Sequence, residues 1–485
     1  MSSGYKRTLI ATSIASVLAA PAVYATNGMN IEGYGPIAAG MGGASMAYEN
    51  GAAATMNNPA TLGLMNDGQS RLELAVGFLG PDVTATAGSM EAKSGGDAYY
   101  MPAVGWTKKV GKISYGVGMF AQGGMGTEYA GNTFISAPTG SPTGIPPGQP
   151  TRSEVGVGRL LAPIAYNVND SLTIGGTIDF VWAGMDLRMA MPGDASGFGD
   201  FVESGVAGGI YNGAHRGGVA TGSLVDGLVN AIDTALVTAV NWVRFDFSNS
   251  NDFTGEAKST GFGGKIGFVA REGKLTIGGT YHLKTSLGDM ETSNATVSMN
   301  VNGPMVGGGP ATVPIIGTLK VVNFQWPATL GLGVAYQMSD KLMVAVDVKQ
   351  IMWSDVMDSF RMSFTADSVP ANGAFGGASM DVEMFQNWKD QAVIQFGAAY
   401  KMDDALTLRA GMNVAKNPVP DAYMNALFPA IEENHITGGV GYKISDSSAV
   451  DFALMQALEV NQTNGAGINV AHSQTSWQLM YTMNF

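Results

Sequence analysis

The sequence predicts an all-β protein, a 14-stranded antiparallel transmembrane β-barrel with an N-terminal plug, or hatch, of short helices inside its lumen. Three observations predict it. Segments with an apolar residue at every second position recur to the end of the chain. Short polar turns alternate with long Gly/Pro-rich connections. And residues 26–66, rich in Gly and Ala, show no strand alternation and carry only Glu32 and Glu49 as charged side chains. Such a stretch cannot bury a core of its own, so it has to be packed inside something else.

The clearest strand is the last. In Ser476–Phe485 the odd positions Trp477, Leu479, Tyr481, Met483 and Phe485 are apolar, and the even ones are mostly polar. Period two places each set on one face, one suited to lipid and one to a lumen. Leu172, Ile174, Ile178, Phe180 and Trp182 repeat the pattern, as do Leu342, Val344, Val346 and Val348.

Six short polar turns join strand pairs: 109–112, 167–171, 271–274, 337–341, 402–404 and 445–448. In outer-membrane barrels the periplasmic turns are short and the external loops long. With both chain ends periplasmic, n strands need (n − 2)/2 short turns, so six turns give 14 strands. Their starts are expected near Gln69, Ala98, Lys112, Ser153, Ser171, Lys258, Lys274, Gly317, Lys341, Trp388, Ala405, Asn434, Ala449 and Gln474.

Composition agrees with this address. Lys6 and Arg7, the apolar run Thr8–Ala20 and the small or modest residues Val23-Tyr24-Ala25 at the cleavage positions read as a signal peptide over residues 1–25. The plug is assigned to 26–68 and the barrel to 69–485, with a large loop insert at 191–257. Charged residues are 13% of the chain and the net charge is −13, which disfavours nucleic acid as a partner. There is no cysteine, so no disulfide, thiolate metal site or cysteine nucleophile. No apolar run after residue 25 is long enough for a membrane helix.

Two loops stand out. Gly131–Pro150 reads as an extended cover. Within the insert, Val225, Leu228, Val229, Ile232, Leu236, Val240 and Val243 recur at helical spacing. This helix packs on other loops or lines an apolar entry groove.

Strand three alternates through Ile113, Tyr115, Val117 and Met119 and then meets Gly123, Gly124 and Gly126 around Met125. Glycine inside a strand marks a bulge, a bend or a close approach. Pro102 and Pro163 on the flanking strands lack a ladder donor. A break in the wall is expected there, or else the base of a loop.

The inward positions are rich in Gly, Ala, Thr and Met, a lining suited to apolar pockets or to packing on the plug. The inward charges are few: Arg71, Glu73, Asp179, Lys265, Lys284, Asp347, Lys349 and Arg409. Lys265 or Arg409 could hold a fatty carboxylate. Alternatively these charges pair with Glu32, Glu49, Asp67 or wall carboxylates and anchor the plug. The four histidines stand in no hydrolase or metalloprotease motif, and no phosphate loop, metal cluster or cofactor motif is present, so no enzyme is expected.

Gly40–Ala44 (Gly-Met-Gly-Gly-Ala) and Asn58-Pro59-Ala60 resemble the N-terminal plug of the FadL/TodX family of outer-membrane transporters. Gly123–Tyr129, Phe324–Ala328, Trp353-Ser354-Asp355, Lys416–Asp421 and Phe428–Ile431 resemble the family as well. The resemblance implies a fourteen-stranded barrel, a plug of short helices and a kink in strand three that opens the wall sideways. It implies passive passage of long-chain fatty acids or of aromatic and aliphatic hydrocarbons. Thr26, Asn27, Gly28, Asn58, Pro59 and Ala60 are then plug and gate residues, and Pro102, Gly123, Gly124, Met125 and Gly126 the lateral opening. The expected partners are hydrophobic small molecules, outer-membrane lipid and lipopolysaccharide, and the barrel assembly machinery during biogenesis, around a monomer. The alternative reading is a general porin for small hydrophilic solutes.

Overall fold

The computed structural model describes residues 27–136, 149–203, 215–251 and 255–485. The expected signal peptide, Thr26 and most of the expected cover at 131–150 lie outside the described residues. The wall strands follow chain order: β1 (Ser70–Ala87), β2 (Tyr99–Val110), β3 (Ile113–Tyr129), β4 (Thr151–Asn167), β5 (Leu172–Pro192), β6 (Ala257–Glu272) and β7 (Leu275–His282). They continue with β8 (Thr329–Gln337), β9 (Leu342–Ile351), β10 (Gln391–Lys401), β11 (Leu406–Ala415), β12 (Asn434–Ser445), β13 (Ser448–Thr463) and β14 (Asn469–Asn484). Each is antiparallel to the next, and β14 returns to pair with β1 from Arg71↔Asn484 to Thr86↔Asn469, which closes the barrel.

The strand count departs from the 14 expected, because the sheet holds 22 strands among the described residues. Long connections fold as strands too. At the long-loop end the top of β5 pairs with Ala239–Phe247, which pairs with Met290–Asn302, and that with Ala311–Val322. The series runs on through Ser359–Ala366 and Ser379–Phe385 to Gly218–Thr221. Two expectations fail here for the same reason. The strand near Gly317 belongs to this upper sheet, and the wall strand starts at Thr329. The apolar residues at 225–243 divide into a helix, α2 (Ser223–Asp233), and a strand, Ala239–Phe247. Periodicity alone could not separate a helix from a buried strand that follows it directly.

The outer face is apolar: Ile178 is 73% exposed, Phe262 62% and Ile266 62%. Among the described residues no helix is long and apolar enough to cross a membrane. The crossing is made by strands, whose backbone groups are paired around the ring.

The plug is a short helix, α1 (Pro36–Ala39), and two 3-10 turns, Gly51–Thr55 and Pro59–Leu64, all buried in the lumen. Its main chain is held by wall side chains. Asp347 Oδ2 accepts from the backbone N–H of Ser45 (2.6 Å) and Met46 (3.0 Å). Glu73 accepts from Ala52 N (2.6 Å), and Lys109 donates to the carbonyls of Gly63 (2.7 Å) and Met65 (2.9 Å). These bonds satisfy backbone groups that short helices leave open. The wall glycines let the plug approach: a Cβ on Gly278 would overlap the Met46 carbonyl oxygen.

Candidate functional site

The ladder between β2 and β3 stops at Val104↔Met119. Above it, Tyr99–Ala103 of β2 stay paired with β1, while β3 pairs with β4 through a one-residue bulge between Ala121 and Gly123. Contact across the gap resumes higher up, where Gly95 N donates to Glu128 O (2.7 Å). The wall therefore has a window, bounded below by Val104 and Met119 and above by Gly95 and Glu128.

The plug occupies the inner side of this window. Asn30 forms a bridge with Gly123, and Gly124 N donates to Met29 O (3.1 Å). A side chain at Gly123, whose φ is +154°, would overlap that same carbonyl oxygen. The bulged residue, Gln122, is buried and fixed from the plug. Its Nε2 donates to Asn30 Oδ1 (3.1 Å), and Tyr34 Oη donates to its carbonyl (2.7 Å). Asn30 Oδ1 also accepts from Trp326 Nε1 (2.7 Å). Trp326 opens an edge-to-face series with Trp353 and Trp388, with centroids 5.8 and 5.2 Å apart, and Gly28 packs on the Trp353 ring. A rigid aromatic floor thus supports Gly28–Asn30.

A cavity of about 710 Å³ lies at the window. Gly28–Glu32 of the plug line it from inside, and Met119–Ala121 and Gly123–Gly126 of β3 line its edge. Tyr100, Met119 and Trp182 also line it, and these three side chains face outward from the barrel. The cavity reaches both faces of the wall. Four methionines (Met29, Met101, Met119 and Met125) and four aromatic residues (Tyr99, Tyr100, Phe120 and Trp182) dominate it. Among its described lining residues Lys258 is the one lysine or arginine, against Glu32, Glu154 and Glu432. His472 closes one side, with Nδ1 donating to Pro429 O (2.8 Å) and Nε2 3.5 Å from Glu432.

Glu32, in the stretch of the plug that lines the window, is buried, 1% exposed. Neither carboxylate oxygen has a hydrogen-bond partner from another residue among the described residues. Burial raises its pKa to about 7, opposed by its own backbone N–H and by the Lys349 ammonium. Glu49 behaves oppositely. Burial pushes its carboxyl up, but the Arg71 guanidinium, 2.6 Å away, outweighs this and holds it below the usual range.

Of the residues singled out by sequence, Gly28, Pro102, Gly123, Gly124, Met125 and Gly126 meet at this cavity. Asn27 forms the turn that returns to Asn30 (Asn30 N to Asn27 O, 3.2 Å). Asn58, Pro59 and Ala60 do not line the cavity. Asn58 caps the second 3-10 turn through Ala60 N (3.1 Å) and donates to Met46 O (2.8 Å) and to Phe268 O of β6 (3.1 Å), while Pro59 takes the first turn position, where no N–H is needed.

Lys265 and Arg409 also lie away from the cavity. Lys265 Nζ and Arg159 each sit 2.7 Å from Asp179, all three buried, and Arg409 is 2.7 Å from Asp451. Lys284, expected inward, is exposed. Gln122, Asn30, Tyr34 and Gly156 carry no role in the sequence reading, and Trp326 enters it only within the family-like stretch Phe324–Ala328. Gln122 carried one signal, an amide just where the alternation of β3 fails before its glycines.

A family model described as outer membrane protein transport protein (OMPP1/FadL/TodX) matches residues 11–481. The crystal structure of the Pseudomonas putida toluene transporter TodX is 28% identical, with 94% of this chain and 99% of that one covered and a TM-score of 0.76. That of the Ralstonia pickettii toluene transporter TbuX is 28% identical, with 94% and 99% covered and a TM-score of 0.71. A Pseudomonas aeruginosa FadL homologue shares the fold at 14% identity, 94% and 99% coverage and a TM-score of 0.64. The chain also aligns at 42% identity over 84 residues, 17% of its length, with an uncharacterized protein of Chlorobium limicola. It spans 41% of that curated relative's length.

Proposed function

Since the chain belongs to the OMPP1/FadL/TodX family of outer membrane transport proteins, we propose that it passes neutral hydrophobic molecules, aromatic hydrocarbons above all, sideways into the bilayer through the window beside β3. The observation that carries this reading is the single cavity touching the plug residues 28–32, the edge of β3 and the outward side chains Tyr100 and Trp182. A solute enters from the long-loop end, sits among the methionines and rings, and leaves through the wall once Gly28–Tyr34 shifts away from Gln122 and Gly124. Long-loop and short-turn ends then face outside and periplasm respectively.

Two physical arguments favour these substrates and this route. Each methylene or ring carbon gains by staying out of water, about 0.8 kcal/mol per CH₂. A route into lipid preserves that gain, and one through the periplasm gives it up. And the lining is suited to rings rather than to carboxylates: thioether sulfur and aromatic faces bind aromatic ligands favourably, whereas Lys258 is the one lysine or arginine among the described lining residues to meet an anionic head group. The toluene transporters among its structural relatives agree with a compact neutral ligand. The protein works as a monomer in lipid and lipopolysaccharide, placed there by the barrel assembly machinery.

The test is Gly156→Trp. Gly156 of β4 lines the cavity, and a Cβ there meets nothing within 4 Å. The barrel should assemble, with unchanged heat stability, while toluene transfer from outside into proteoliposome lipid falls at least tenfold. Normal transfer by the folded variant would sink the sideways route. Swelling of the same liposomes in sugar solutions, if fast, would favour a hydrophilic pore instead.

A further inference from the structure

Outward aromatic side chains are spread widely around the short-turn end of the barrel. Tyr336, Tyr400, Tyr442 and Tyr481 each stand near that end on β8, β10, β12 and β14, and all are exposed. This is the distribution of an interfacial anchor belt. At the long-loop boundary the distribution is different. There the outward positions of β8, β9, β10 and β12 carry Leu330, Gln350, Ala392 and Ile436, and the rings collect on the strands near the window. Three form a continuous row across strands. Trp477 of β14 stacks on Phe78 of β1, with centroids 5.7 Å apart and planes 17° apart, and Phe78 meets Tyr100 of β2 at 5.3 Å. The register makes these direct cross-strand neighbours. Tyr100 is 52% exposed on the outer face and also lines the cavity. The row therefore starts in the window and ends on the lipid-facing wall.

We propose that Tyr100, Phe78 and Trp477 form an external binding site for a neutral aromatic hydrocarbon, which stacks there after leaving the window and before it dissolves in lipid. The proposal rests on the sideways-exit reading above. An anchor belt has no reason to gather on one side of one boundary, nor to run into a cavity. A ring leaving that cavity meets Tyr100 first, and Phe78 and Trp477 follow at centroid steps of 5.3 and 5.7 Å, so aromatic surface with which a ring gains beyond simple burial continues along its path. A saturated molecule of the same size gains no such term, so the site selects for rings.

The experiment uses the full-length protein in lipid vesicles, with toluene and its saturated analogue methylcyclohexane as probes. The variant is Phe78→Leu with Trp477→Leu; neither side chain lines the cavity. Toluene affinity of the cavity should stay within twofold. Transfer of toluene from loaded protein to lipid should slow about three- to tenfold, and transfer of methylcyclohexane should not change. Equal slowing of both probes, or of neither, overturns the external site. Should the double variant not assemble, Trp477→Leu and the ring-keeping Trp477→Phe are compared singly, and equal toluene rates in the two overturn it as well. Gly156→Trp separates the two ideas. If that variant transfers toluene normally, the exit route itself fails. If it blocks transfer while the leucine variants behave as wild type, only the external site fails.

Discussion

Replacing Asn30 with Ala tests whether the plug's first residues are the gate. Asn30 Oδ1 accepts two hydrogen bonds, from Trp326 Nε1 at 2.7 Å and from Gln122 Nε2 at 3.1 Å. Alanine leaves both donors inside a buried seam. A buried donor that loses its partner costs about 1–3 kcal/mol. Taking about 1.5 kcal/mol for each gives about 3 kcal/mol against the seated plug. The released state pays little of this, because water reaches the freed groups. The ratio of released to seated plug should then rise about a hundredfold. Hydrogen exchange of the amides at 27–35 should quicken by about that factor while those of β8–β13 stay as slow as before, and toluene transfer should speed up. Asn30→Asp keeps an acceptor and should recover most of the protection. Exchange at 27–35 within threefold of wild type would refute the energetic account. Faster exchange with unchanged toluene transfer would refute the gate.

Three further outcomes follow from the buried charges. Glu32 has a folded pKa of about 7, above its ordinary value of 4.5. A carboxyl raised on folding favours the native state at low pH, and that contribution is lost as pH rises through the folded value. The shift corresponds to about 3 kcal/mol. Plug release, read as exchange at 27–35 relative to the free-amide rate at each pH, should rise between pH 4.5 and about 7 and level off above it, and Glu32→Gln should flatten that rise; an unchanged profile in that variant would assign the titration elsewhere. In the wall, Asp179→Ala strands Arg159 and Lys265 as buried unpaired cations. It should lower stability by about 3–5 kcal/mol in denaturant, whereas Lys265→Met should leave toluene affinity unchanged. Loss of toluene binding in Lys265→Met would return that lysine to the ligand site.

Much of this molecule was legible from sequence because a barrel writes its wall in two plain signals. Outward positions must be apolar, so Leu172–Trp182 and Trp477–Phe485 alternate visibly, and each short turn interrupts the alternation with a polar cluster. Lumen positions answer to the plug instead, and what they do depends on a surface that the sequence does not display. Lys265 and Arg409 are adjacent to their partners only through cross-strand register, so pairing with Asp179 and Asp451 could not be separated from a ligand role. The window was half legible. Its glycines showed in β3, but Gln122 acts through Asn30 and Tyr34, 92 and 88 residues away in the chain. The upper sheet was not legible, because its strands carry the same alternation as the wall and no signal of height. The alternation from Gly317 therefore reads like that of a wall strand.

The way the plug is fastened decides which part of it can move. From Ser45 to Met65 its backbone is tied to charged side chains of the wall, Asp347, Glu73 and Lys109, and through Asn58 to β6. Charge-assisted bonds of this kind are about twice as strong as neutral ones, and freeing that half would strand several charges in the lumen. Residues 27–34 are held by amides, one tyrosine hydroxyl, main-chain contacts with β3 and the tryptophan floor. Among the described residues no charged wall side chain is bonded to Asn27 or to Met29–Tyr34, and the one carboxylate of this stretch, Glu32, is buried at a cost rather than a gain. The strong half keeps the barrel filled. The weak half lies across the window, where, on the proposed sideways route, its release would uncover an exit without opening the lumen to water. A plug hinged between these two halves can pass an apolar solute sideways while the pore stays shut, which a plug held evenly along its length could not do.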